Sequence, residues 1–378
     1  MRRGPVPHLL TRRTLLIGAA SGGVTGLIAA PRILEARDDG PTLASLASAK
    51  GLVLGAAFAE HELDKPYGPA YAQAYVRNVN SITSELAFKM SALRPNANAL
   101  NFEPADRTVA FARKHALKLR AHTLIWNDDL PAWIWRLGPG EIEQLLDTHI
   151  MTMMERYRAD VWAWDVVNEP IAPWDKLPGN LRKGPFLSGL GEGYIARAFR
   201  QARRHDPNAL LVLNEAQTET ADDNGRVFRD SLLALLRRLK AEAVPIDAIG
   251  LQAHLRSDRR YDYGLFSAFL DEIAALGYAI HITELDVNDV ALPATIDKRD
   301  TAVAEYYSKF LTTVLAHKAV TAVTFWELAD HTSWLYYEHL GKVAQSHRRP
   351  RPLLLDQSFE KKPAWSAVAK ALTAMTPR

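Results

Sequence analysis

From Gly51 onward, short runs rich in β-branched and apolar residues alternate with longer amphipathic stretches. Such alternation predicts parallel strands joined by helices. Eight runs read as strands: Gly51–Glu60, Ser81–Phe88, Leu117–Trp126, Val161–Pro170, Leu210–Glu215, Ala248–Leu255, Ala279–Val287 and Val320–Leu328. The intervals suit one helix each. In Gly191–Arg204, Tyr194, Ile195, Ala198, Phe199 and Ala202 make an i, i+3/i+4 apolar stripe, and His205-Asp206-Pro207 ends it. The leucine-rich Phe228–Leu239 predicts another helix. Eight β/α units point to an α/β fold, a closed (β/α)8 TIM barrel formed by one domain.

In such a barrel the ends of the strands carry the chemistry and their starts carry stability. Every run but the first finishes on polar or aromatic residues: Ser84-Glu85 with Lys89 following, His122 and Trp126, Asn168-Glu169, Asn214-Glu215, Gln252 and His254, Glu284 and Asp286, Trp326-Glu327. Buried carboxylates and amides cost free energy unless partnered, so a mouth crowded with them implies a polar ligand.

Composition narrows the class without changing this picture. The chain has 378 residues, 48% hydrophobic and 24% charged, enough for a large core. A net charge of +3 is too small for a nucleic-acid footprint, and the basic segment His347-Arg348-Arg349-Pro350-Arg351 reads as a solvated loop. Without cysteine there are no disulfides and no thiolate chemistry. Paired arginines in Thr11-Arg12-Arg13-Thr14, followed by a Gly/Ala-rich apolar run to Ala30, read as a twin-arginine-type export signal. That run is too short and too rich in glycine for a membrane span. Residues 1–40 are therefore expected to be signal and disordered lead, residues 41–378 a periplasmic or secreted catalytic domain, with no stable membrane insertion and a monomeric state.

Two glutamates, Glu169 and Glu284, end the fourth and seventh strands, roughly opposite each other across the mouth. Glycosidic hydrolysis needs one protonated carboxylic acid and one ionised carboxylate, and a separation of about 5–5.5 Å between them means retention of configuration. Trp126, Trp326 and Trp334 offer flat apolar faces for sugar C–H surfaces; Lys89, His122, Asn168 and Gln252 offer hydroxyl-binding groups. Asp286 follows Glu284 by two residues and shares its face. A bland reading makes His122 and His254 structural and either glutamate a loop ion-pair partner. Trp133, Trp135, Trp162, Trp164 and Trp365 read as core. A metal site at His254, Glu284, Asp286 and Glu169 lacks the histidine-rich opening strand such barrels carry. No cofactor is implied.

Over most of residues 51–368 the ordered motifs resemble glycoside hydrolase family 10, the endo-β-1,4-xylanases. They are Leu119-Arg120-Ala121-His122-Thr123-Leu124-Ile125-Trp126, Trp164-Asp165-Val166-Val167-Asn168-Glu169, Gly191-Glu192-Gly193-Tyr194-Ile195, Pro245 through Leu255, Thr283-Glu284-Leu285-Asp286, Phe325-Trp326 with Asp330 through Trp334, and Lys362-Pro363-Ala364. The resemblance implies Glu169 as acid/base and Glu284 as nucleophile of a retaining endo-acting hydrolase of xylan or xylo-oligosaccharide. It further implies Asn168 on the 2-hydroxyl of the −1 sugar, His254 against Glu284 with Asp286 holding the imidazole, and Gln252 near Glu169. Glu85 and Lys89 would bind glycone hydroxyls, His122 and Trp126 the −1 sugar, and Trp326 and Trp334 would wall the −1 and −2 positions.

The chain departs from the family pattern at Leu86, Met90, Asn127-Asp128-Asp129 and Ala216, where the family usually has asparagine, tryptophan, a His-x-Gln triplet and tyrosine. Changed hydrogen-bonding partners alter discrimination far more readily than they alter the reaction. Two alternatives therefore stand beside a divergent xylanase: a β-glycanase for another plant-type glycan, and an inactive carbohydrate-binding barrel.

Overall fold

A computed structural model describes residues 40–338 and 348–378. The export-signal reading, apart from Gly40, and His347 of the basic segment lie outside them. Pro41–Arg378 make one compact unit.

The strands are β1 (Val53–Phe58), β2 (Ser81–Ser84), β3 (Lys118–Ala121), β4 (Val161–Asn168), β5 (Leu210–Glu215), β6 (Ala248–Leu251), β7 (His254–Arg256), β8 (Ala279–Asn288) and β9 (Val320–Phe325). All neighbours pair in parallel, from β1 round to β6, then β6 with β8, β8 with β9, and β9 with β1. The barrel closes on eight strands, as the alternating pattern predicts, and β7 is an outlying continuation of β6. The run read as one strand, Ala248–Leu255, breaks at Gln252-Ala253, where Ala253 takes φ 61° and its N–H leaves the ladder for Glu219 Oε1 at 2.9 Å. β7 resumes against the far half of β8, with His254 opposite Asp286.

Helices follow their apolar stripes. Asp223–Ala241 starts at Asp222, whose carboxylate accepts from the N–H of Gly225 at 3.0 Å, and buries Phe228, Leu232, Leu235, Leu236 and Leu239 against the barrel. Gly225 is required there, because a Cβ would lie 2.2 Å from the carbonyl oxygen of Thr220. The stripe predicted for Gly191–Arg204 is fully buried, although Gly191–Gly193 forms a 3-10 turn and the α-helix is Tyr194–His205. Among the described residues no helix is long and apolar enough to cross a membrane.

Beneath the mouth the barrel interior carries charge. Arg120 binds Asp165 through Nε at 3.1 Å and again through Nη2, and its Nη1 lies 3.0 Å from His281 Nδ1; all three residues are buried. Burial first, and then the Arg120 charge, depress His281 to a pKa of about 3, so it stays neutral. Removing one member of such a pair costs about 3–5 kcal/mol, because the partner is left as an uncompensated buried charge.

Two expectations need correction. Trp164 is fully buried, but Trp133, Trp162 and Trp365 are half-buried, each spending its indole N–H on a neighbour, and Trp135 is exposed. Nor is Arg348–Arg351 simply a solvated loop. Arg348 donates to the carbonyls of Asp289 and Leu292 at 2.6 and 2.8 Å, and Arg351 grips Asp300 at 2.6–2.7 Å, since aspartates of the β8 loop and its following helix face the segment.

Candidate active site

Glu284 lies near the middle of β8, with its side chain 6% exposed. Its Oε1 accepts from Asn214 Nδ2 at 2.7 Å, and its Oε2 lies 3.1 Å from His254 Nε2. Behind the imidazole, Asp286 Oδ2 sits 3.1 Å from Nδ1, off the hydrogen-bonding line, and accepts the indole N–H of Trp334 at 2.7 Å. Burial by itself would raise the Glu284 carboxyl; the His254 hydrogen bond and the His122 and His254 charges outweigh it and hold the pKa below the ordinary value. Burial works against the imidazolium of His254 too, but Asp286 and Glu284 lift its pKa well above the usual range. The pair is an ionised carboxylate beside a readily protonated imidazole.

Glu169 leaves the end of β4 in a left-handed conformation, φ 50°, anchored by its N–H on the carbonyl of Asn214 at 2.8 Å. Its side chain is 15% exposed. Gln252 Nε2 donates to Oε1 at 2.7 Å, while Trp126 Nε1 and Arg182 Nη2 each donate to Oε2 at 3.1 Å. Lys89 Nζ stands 4.9 Å over the Trp126 ring, which ties the end of β2 to the same corner.

One side chain joins the two halves. Asn214 Nδ2 donates to Glu284 and also to Asn168 Oδ1 at 2.8 Å, while its Oδ1 accepts from Thr283 Oγ1 at 2.7 Å. Gly250, opposite Asn214 in the β5–β6 register, leaves the room: a Cβ there would lie 2.2 Å from Asn214 Oδ1. Asn168, Asn214 and Thr283 thus form a continuous polar floor between the two glutamates.

His122 contacts Asp165 Oδ2 at 2.9 Å through Nδ1, which connects the mouth to the buried Arg120 pair. Burial would raise Asp165, yet the Arg120 charge and His122 bring its pKa below the ordinary value. Trp326 is nearly buried, with ring centroids 5.4 Å from His122 and 6.1 Å from His254; Trp334 approaches His254 to 5.0 Å. On the β2 side Glu85 faces Glu327, a buried acid at φ 74° whose Oε2 accepts from the N–H of Trp334 at 3.0 Å. Burial raises both carboxyls, and in Glu327 the charge of Glu85 adds to it.

The twelve residues singled out in the sequence therefore converge on one mouth. Three further contributors were not singled out. Arg182 lies in an irregular loop without periodicity, so it gave no signal. Asn214 repeats the Asn-Glu pattern of Asn168-Glu169 at a strand end, which is the signal that could have found it. Glu327 stood among the strand-end acids, but only folding places it on Glu85. At the departures from the family pattern, Met90 is buried and Leu86 is 42% exposed. Asp129 accepts from Ser91 Oγ at 2.7 Å, and Asp128 pairs with Arg182 at 2.5 Å. Ala216 lines an open cleft of about 440 Å³ with Glu169, Gln217, Asn224, Gln252 and His254.

The model of glycosyl hydrolase family 10 matches residues 42–371. Endo-1,4-beta-xylanase A of Thermoanaerobacterium saccharolyticum is 31% identical over 317 residues, 79% of this chain and 25% of that protein. Endo-1,4-beta-xylanase B of Thermotoga neapolitana is 29% identical over 333 residues, 86% of this chain and 90% of the relative. The chain thus spans nearly all of one relative and about a quarter of the other. Xylanase 10B from Thermotoga petrophila RKU-1, solved in complex with xylobiose, superposes with a TM-score of 0.79 at 28% identity, covering 88% of this chain and 97% of that one. A family match over most of the chain and a barrel that agrees with it lead to one conclusion: the chain belongs to glycosyl hydrolase family 10.

Proposed function

We propose that the chain is a retaining endo-β-1,4-xylanase working by double displacement. Glu284 attacks the anomeric carbon while the bond to the leaving oxygen breaks and Glu169 gives that oxygen its proton. Water then enters, Glu169 takes one of its protons, and the oxygen displaces Glu284 with the configuration restored. Asn168, fixed by Asn214, is placed for the 2-hydroxyl of the reacting sugar, where a hydrogen bond strengthens as positive charge grows on the ring. The observation that carries the reading is the Asn214 bridge, which sets a buried carboxylate held below its ordinary pKa beside the −1 floor and anchors the backbone of the second glutamate. The names of the relatives point to the same substrate.

The test is time-resolved NMR and mass analysis of products from glucuronoxylan, arabinoxylan and mixed-linkage glucan. Short xylo-oligomers appearing first as the β anomer are expected. An initial α anomer would overturn the double displacement, and cleavage of the glucan alone would move the substrate while keeping the mechanism.

A further inference from the structure

Trp174 is 53% exposed, although it sits on a rigid loop beside the active site. The loop is clipped at its base: Arg182 N donates to the carbonyl of Pro170 and Ala172 N to that of Asn180, both at 2.7 Å, and Ile171 bridges to Leu181. Its far side is pinned to the helix Asp223–Ala241 by Asn180 Nδ2 on Ser231 Oγ at 2.8 Å. The indole has Phe228, fully buried, 5.9 Å away and the guanidinium of Arg182 5.4 Å from its centroid, and half of its surface is left to solvent. A large ring held open to water on a well-fastened loop gains little for the fold, and such exposure marks a ligand-binding surface.

Its position says which ligand. Arg182 reaches Glu169 with Nη2 on Oε2 at 3.1 Å and Nε on the carbonyl at 2.7 Å, so the indole centroid lies at most about 10 Å from the Glu169 carboxylate once one C–N bond is added. One or two pyranose rings span that distance. Glu169 protonates the leaving oxygen in the proposed reaction, so sugars beyond that oxygen extend on the Glu169 side. The open cleft past Ala216 and Gln217 continues to Asn224, one helical turn before Phe228 on the same face. Ala216 itself offers no ring, and the rings that line this cleft are Tyr261 and Trp334.

We propose that Trp174 is the stacking platform for a pyranose ring on the leaving-group side of the scissile bond, with Arg182 the positioning residue that fixes the platform relative to Glu169. The ligand class is an unbranched run of β-linked pyranoses whose ring C–H faces are apolar, as in xylose, which has no hydroxymethyl group. This rests on the glycosidase reading above.

The test compares kcat/KM for xylohexaose and for 4-nitrophenyl β-xylobioside, whose leaving group carries no sugar, in the full chain and its Trp174→Ala and Trp174→Phe variants. Loss of one ring-stacking contact is expected to lower the ratio of the two kcat/KM values about 10-fold in Trp174→Ala, mostly through KM, with Trp174→Phe in between. On reducing-end-labelled xylohexaose, cleavage should move towards the reducing end as the leaving-side sugars lose their hold. An equal loss on both substrates would assign Trp174 a structural role through Arg182, and an unchanged ratio would remove the platform; either overturns the proposal while the hydrolase reading stands. A wild-type enzyme inert on both substrates overturns the hydrolase reading, and the platform falls with it.

Discussion

Glu284 and Glu169 face one mouth, yet they are held in opposite ways. Glu284 belongs to β8, almost without exposure, and its partners Asn214 and His254 both come from strands, β5 and β7, with Asp286 of β8 behind the imidazole. Glu169 leaves its strand at φ 50°, has a side chain 15% exposed against 6% for Glu284, and takes its side-chain partners, Trp126, Gln252 and Arg182, from outside the strands. The difference suits the two tasks proposed for them. A nucleophile must stay ionised and in line with one carbon, which favours a rigid, charge-lined strand. An acid/base must exchange protons with a leaving group and then with water, which needs an approach from solvent.

The largest way to break this comparison is to remove each carboxyl in turn. Glu284→Ala is expected to lower kcat roughly 10⁴–10⁶-fold on every glycoside, with circular dichroism unchanged. Glu169→Ala should fall comparably on xylan but much less on an aryl glycoside, whose leaving group needs no proton to depart. Azide should rescue the first variant as the α-glycosyl azide and the second as the β-azide. Similar losses on both substrates for both variants would erase the distinction between the two sides.

The next test cuts the bridge. Asn214→Ala removes the donor shared by Glu284 and Asn168 and leaves the Glu169 contacts in place. A fall in kcat of about 10²–10³-fold is expected with KM little changed, the effect of losing one preorganised donor. A rise in KM at constant kcat would instead make the bridge a ground-state binding feature.

The smallest effect sharpens the polar surroundings of the glycone side. Burial, reinforced by Glu85, raises Glu327 well above its ordinary pKa; Glu85, Asp286, Tyr71 and Tyr75 face it, with Lys89 beyond Glu85. A raised acid binds its proton more tightly folded than unfolded, so its contribution is complete below the unfolded pKa of about 4.3 and is lost as pH rises through the folded value. Between about pH 5 and about pH 9 the Tm of the wild type should therefore fall more than that of Glu327→Gln, which cannot titrate. Glu215, raised in the same sense, leaves part of the slope in both. Identical slopes would mean that Glu327 is ionised in the fold.

The periodic pattern by itself determined the eight-strand barrel, the apolar faces of its helices and the strand ends that carry Glu169, Glu284 and their neighbours. It could do so because a strand buried on both faces is mostly apolar before the mouth, with the mutually paired Arg120, Asp165 and His281 as exceptions, and polar residues at its end then stand out. The break at Ala253 escaped the pattern, since a left-handed residue changes the ladder without changing hydrophobicity. Arg182, Glu327 on Glu85, and Trp174 beside Glu169 were decided only by the tertiary structure. Each depends on contacts between residues far apart in the chain or on an irregular loop, and neither leaves a period in the sequence.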